Sequence, residues 1–158
     1  MEIRLTRGKV AIIDEADWAL IEPHRWIAVP SRAGRVWYAR TRIGGRIVYM
    51  QNLILPLPDG FEPDHRSRDG LDNRRANLRA ATRSQNMANT RRSNHSRSGF
   101  RGVYEHHGKW SAQIRVMGQL LRLGRFDDPS SAAAAYDAAA RQHFGEFAVT
   151  NFEARSAA

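Results

Sequence analysis

Between Pro63 and Asn86 the chain reads PDHRSRDGLDNRRANLRAATRSQN. An acid stands beside a histidine, Asp64-His65. Two asparagines follow at wide intervals, Asn77 and Asn86, with arginines between them. A carboxylate and amide oxygens can hold a hard divalent cation. An imidazole that titrates near neutrality can take a proton, and guanidinium groups can meet phosphates. These are the groups that metal-assisted hydrolysis of a phosphodiester requires.

The elements around this stretch must bring those groups together. Phe61 to Arg66 is expected to form a strand that ends near the Asp64-His65 pair. Ser67 to Asn73 is polar, with a turn signal at Asp69-Gly70, and Asn73 reads as a turn residue beside Asp72. Asn77 to Ala81 returns as a second strand. Thr82 to Asn89 follows as a helix, with Thr82 and Gln85 in a capping-box pattern. This β-β-α order lets His65 and Asn86 face one cleft. Neighbouring residues of a regular strand point to opposite faces, so Asp64 joins them only if the strand twists or ends there.

Upstream, two short strands are expected in Glu2 to Asp14. A short helix capped by Asp14 should then bury Trp18, Leu20 and Ile21. RWIAVP, VWYARTRI and RIVYM alternate with turns as an antiparallel meander, its core formed by Trp26, Trp37, Tyr38 and Tyr49. Met50 to Leu55 is expected to make one or two helical turns before a loop set by Pro56, Pro58 and Gly60.

Composition narrows the partners. The 158 residues hold one ordinary domain or two small ones, and 42% of them are hydrophobic. No apolar run approaches the ~20 residues that cross a bilayer, and the N-terminal residues do not read as a signal peptide. With no cysteine, disulfides, thiolate zinc sites and cysteine nucleophiles are excluded, and any metal must bind oxygen or imidazole. The formal charge is +9. Asp64 to Arg125 holds fourteen Lys/Arg against four Asp/Glu, so this central block carries the whole excess. Such a block suits a surface that tracks a polyanion.

The stretch around Asp64-His65 resembles the HNH endonucleases of the ββα-metal fold, in the phage and intron-homing branch. Asn77 lies twelve residues after His65 and Asn86 nine after Asn77, flanked by LDNRRANLR and SQN. The resemblance implies that His65 is the general base toward the attacking water and that Asp64 and Asn86 hold one Mg²⁺ or Mn²⁺. It also implies that Asn77 braces the hairpin and orients the His65 ring. Arg74, Arg75, Arg79 and Arg83 are expected phosphate contacts. One departure is Gln51-Asn52, where members of this group often carry His-Arg.

From Gly99 the pattern changes to three short alternating runs, FRGVYE, KWSAQIRV and LLRLGRF. A helix follows, with Asp128 as cap, Pro129 at its first position and Gly145 as C-cap. This half resembles the APETALA/ethylene-response-factor DNA-binding domain. The resemblance rests on Arg101-Gly102-Val103, Gly108-Lys109-Trp110, Ile114-Arg115, Leu123-Gly124 with Phe126, Ala134-Ala135-Tyr136-Asp137, and Asn151-Phe152. It implies a three-stranded sheet in the major groove, with Arg101, Lys109, Trp110, Gln113, Arg115 and Arg122 on DNA. Gln113 suits adenine and the arginines suit guanine. Trp110 fits either a base contact or the core. Tyr104 and His106 stand where the plant proteins often carry arginine.

The expected fold class is therefore α+β. Residues 1–90 form an HNH domain, with its ββα-metal motif at 61–90, and a basic linker at 91–97 carries Arg91 and Arg92 onto DNA. Residues 98–153 form the second DNA-binding domain. The expected function is a metal-dependent DNA endonuclease acting on double-stranded DNA as a monomer. No membrane and no small-molecule substrate are expected, and the setting is the cytoplasm, nucleoid-associated, of a bacterium or phage. The rival is a non-catalytic DNA-binding regulator with a decayed nuclease half.

Overall fold

In the computed structural model the chain divides into two compact units, Met1–Arg83 and Ser84–Ala158. The structure describes residues 1–32, 34–90 and 97–152. Arg91, Arg92, His95 and most of the expected linker lie outside the described residues, as does Glu153. The order of elements is the expected α+β order. No helix among the described residues is long and apolar enough to cross a membrane.

The first unit opens with β1 (Glu2–Arg4) and β2 (Val10–Ile12), paired antiparallel. A 3-10 turn at Glu15–Asp17 runs into α1 (Trp18–Ile21). The meander follows as β3 (Ile27–Pro30), β4 (Trp37–Ile43) and β5 (Arg46–Tyr49), in that spatial order. Then come α2 (Met50–Ile54) and the hairpin of β6 (Phe61–His65) with β7 (Leu78–Thr82). One apolar core serves these pieces: Ala11, Ile13, Ile21, Trp26, Ala39, Met50, Ile54 and Leu78 are all buried in it.

Two upstream expectations are corrected. Asp14 makes no side-chain bond to the helix start; its Oδ2 accepts from the Arg75 backbone N–H at 2.7 Å. Trp18 and Leu20 are exposed, at 40% and 43%, because a single helical turn presents only Ile21 to the core. Of the four meander aromatics, Trp26 alone is fully buried, its indole donating to the Ile21 carbonyl at 2.9 Å. Trp37, Tyr38 and Tyr49 are half-buried.

The second unit begins within α3 (Arg83–Ala88). It continues with β8 (Val103–His106), β9 (Lys109–Val116) and β10 (Gln119–Phe126), antiparallel in the order β10-β9-β8. Both hairpins close through two residues at positive φ, His107-Gly108 and Met117-Gly118, the turn geometry that matches strand twist. The helix α4 (Pro129–Phe144) is capped by Asp128, whose side chain accepts from the Ser131 N–H at 2.8 Å. Ala132 and Ala133 are fully buried against Val103 and Ala112, so small side chains let the helix lie close on the sheet.

Candidate nuclease centre and nucleic-acid face

β6 ends at His65, and the side chains of Asp64 and His65 are both buried. Tyr38 registers the two together. Its ring lies 6.0 Å from the His65 ring, and burial and the Asp64 charge both push its phenol pKa up. Tyr49 packs edge-on against Tyr38 at 6.1 Å, walling this corner with aromatic surface.

The residue that orients His65 is Asn73. Its Oδ1 sits 3.2 Å from His65 Nε2, while its Nδ2 donates to the Leu71 carbonyl, also at 3.2 Å. That second bond decides which end of the amide faces the ring. An acceptor oxygen at Nε2 requires Nε2 to carry the proton, so the neutral ring keeps its lone pair on Nδ1. Asn73 is fully buried, and its backbone N–H donates to the Ile12 carbonyl at 2.7 Å, tying the loop to β2.

Asn77 bonds across the loop between β6 and β7. Its Oδ1 accepts from the Ser67 N–H at 2.9 Å and its Nδ2 donates to the Asp72 carbonyl at 2.6 Å, closing the loop between β6 and β7. The amide in contact with the His65 ring is that of Asn73. Gly70 allows this loop path. A Cβ there would lie 2.5 Å from both the Trp37 carbonyl oxygen and the Tyr38 ring.

Burial lowers the His65 pKa from its ordinary 6.5; the Asn73 bond and the charge of Asp64 offset this only in part. The folded state therefore binds fewer protons than the unfolded chain between its lowered pKa and 6.5, and stability rises with pH across that window. In metal-free protein, acidification below pH 6.5 should destabilise the first unit by up to about 1.4 kcal/mol per pH unit. Denaturant titrations at a series of pH values check this, and His65→Gln should flatten the slope.

The arginines around the centre are largely engaged with acids. Arg74 meets Asp72 through two bonds of 2.8 and 2.7 Å and holds that carboxyl below its usual range. Arg75 grips the buried Asp17 with a shortest contact of 2.6 Å. Arg79 meets Asp64 at 2.8 Å, and both are buried. Their sequence neighbour Arg83 is exposed at the start of α3. Gln51, where the resemblance expects histidine, is buried, and its Oε1 has no hydrogen-bond partner among the described residues.

No group of three or more His, Asp or Glu side chains placed to hold a metal ion occurs among the described residues. Carboxylate and amide oxygens of the kind carried by Asp64 and Asn86 are hard donors. Asn86 lies on α3 and falls in the second unit, whereas Asp64 and His65 fall in the first.

In the second unit, strand alternation places Trp110, Ala112 and Ile114 toward α4 and Lys109, Gln113 and Arg115 on the open face. Gln113 pairs in register with Arg122, and Arg115 with Leu120. Arg115 also donates to the Gly118 carbonyl at 2.6 Å, and Lys109 bonds Asp127. Two more expected DNA contacts also have partners within the unit. Trp110 packs on the Val103, Ala112 and Ala132 cluster. Arg101 donates to the carbonyls of Met87, Ala88 and Thr90 at 3.0 to 3.2 Å, at the C-terminal end of α3.

Comparison with known proteins agrees with both halves. Residues 56–88 match the family described as HNH endonuclease. The chain is 44% identical over 84 residues to the ethylene-responsive transcription factor WRI1 of Arabidopsis thaliana, covering 48% of this chain and 20% of that protein. It is 46% identical over 84 residues to the AP2-like ethylene-responsive transcription factor PLT2 of the same plant, covering 48% and 15%. A third relative, the AP2/ERF and B3 domain-containing transcription repressor TEM1, is 41% identical over 59 residues, covering 37% and 16%. The chain thus spans a fifth or less of the length of these relatives. It joins an HNH-like ββα module to a C-terminal three-stranded sheet and helix of the AP2/ERF type.

Proposed function

We propose that this chain is a divalent-metal-dependent DNA endonuclease, targeted by its C-terminal sheet. The observation that carries the reading is the buried, oriented His65 beside Asp64, within residues that match the HNH family. Asn73 faces Nε2, and burial favours the neutral ring, which assigns Nδ1 the proton of an attacking water. Asp64 and Asn86 are the residues that would hold the cation, Mg²⁺ or Mn²⁺. When bound, such an ion neutralises charge on the reacting phosphate and on the leaving oxygen. A small centre of this kind has few base contacts, so affinity and register come from the second unit. There Gln113, Arg115 and Arg122 share the open face, with Lys109 at its edge. Arg74, Arg75 and Arg83 remain candidates for phosphate in the nuclease half. Arg91 and Arg92 extend the basic stretch in sequence.

The test is conversion of supercoiled plasmid with Mg²⁺, with Mn²⁺ and with chelator. Cleavage should require the ion and weaken in Asn86→Ala. Tight DNA binding without cleavage under any of these conditions would favour the regulator. Salt supplies a second check. If about three phosphates are engaged, affinity should fall roughly fortyfold between 50 and 200 mM salt. A flat profile contradicts the polyanion surface.

A further inference from the structure

Arg79 stands apart from the other arginines of the nuclease half. Arg74 and Arg75 keep side chains that are 52% and 54% exposed, and both remain within reach of a polyanion. The Arg79 side chain is 7% exposed and that of Asp64 is 5%. The two residues are register partners on β6 and β7, and Arg79 Nε donates to Asp64 Oδ2 at 2.8 Å. An arginine this deep has no open face for DNA. Its guanidinium is instead committed to the carboxylate that the proposed function assigns to the metal.

We propose that Arg79 is the resident counter-cation of Asp64, a positioning residue that holds the carboxylate without metal and makes ion loading depend on DNA. This rests on the nuclease reading. A buried carboxylate with no opposite charge is costly, so the metal-free state needs a partner for Asp64, and the hairpin register supplies one. A divalent cation arriving at the same carboxylate meets a fixed positive charge that cannot be deprotonated. Repulsion between the two weakens the ion's hold. A DNA phosphate brought to the centre adds negative charge next to both cations and relieves that repulsion. Ion and DNA should therefore each raise the affinity for the other, by the same factor.

The experiment measures Mn²⁺ binding to the full chain by water-proton relaxation, and thermal unfolding in EDTA and in Mn²⁺. It compares the native chain with Arg79→Gln, Arg79→Lys and Asp64→Asn. Arg79→Gln keeps donors on the carboxylate but removes the charge. It should bind Mn²⁺ roughly tenfold more tightly than the native chain, unfold at lower temperature in EDTA, and recover in Mn²⁺. Arg79→Lys should bind Mn²⁺ about as the native chain does. If Arg79→Gln does not fold in EDTA, folding on addition of Mn²⁺ supports the assignment, and failure to fold with the ion overturns it. Equal Mn²⁺ affinity in the native chain and Arg79→Gln, or a loss of stability that Mn²⁺ does not restore, also overturns it. Asp64→Asn separates the two levels. If it binds Mn²⁺ as well as the native chain does, the metal centre itself is misassigned and the role of Arg79 goes with it. If it loses the ion while the Arg79 variants behave as native, only the role of Arg79 is lost.

Discussion

Replacing His65 with alanine is expected to reduce cleavage about 10²–10⁴-fold, the range of a lost general base, and to leave DNA affinity nearly unchanged. The imidazole is the group proposed to accept the proton of the attacking water. It is buried, depressed in pKa, and held through Nε2 by an asparagine that is itself tied to β2. Alanine removes the proton acceptor but none of the residues assigned to DNA. Single-turnover cleavage at saturating ion, with fluorescence anisotropy on the same duplex, separates the two effects. Persistent cleavage in the variant would remove His65 from the mechanism. Asn73→Ala should give a smaller loss than His65→Ala, because the base survives without its orienting bond.

The second large effect is expected in the other unit. Gly102 has φ +71, and a Cβ there would lie 2.2 Å from the Tyr136 ring and 2.5 Å from the Gln113 carbonyl oxygen. Gly102→Ala therefore combines a left-handed backbone, about 1–2 kcal/mol for a residue with a Cβ, with forced displacement in a packed site, about 1–3 kcal/mol. The sheet and α4 meet at this point, since Tyr136 is buried and the Gln113 N–H donates to the Gly102 carbonyl at 2.9 Å. The variant should lose DNA binding at physiological temperature, and one of two unfolding transitions should move while the other stays. Unchanged melting and unchanged affinity would contradict this packing account.

Much of the frame was legible because its signals are local. Alternating aromatic and β-branched runs between Gly-containing turns marked every strand of the meander and of the second sheet. Asp128-Pro129 and Gly145 marked both ends of α4. What escaped depends on contacts between distant positions. Asn73 reads as a turn residue, and its bond to His65 exists only because the loop lies on Tyr38, which the missing side chain of Gly70 permits. Arg75 reads as a phosphate contact, yet its carboxylate partner Asp17 is 58 residues away. A run of arginines in a sequence shows charge but not which acids the fold sets beside them. Tyr38 was expected in the core by its type, whereas its half-buried ring borders the centre.

The grip of Arg101 on the end of α3 has a topological consequence. Its bonds to Met87, Ala88 and Thr90 join two points of the second unit that the covalent chain joins separately, through residues 91–100. The segment between them is thus closed into a ring by a non-covalent clasp, which Ser84 supports by accepting from the Met117 N–H at 3.2 Å. Arg101 thereby anchors the end of α3 within the second unit.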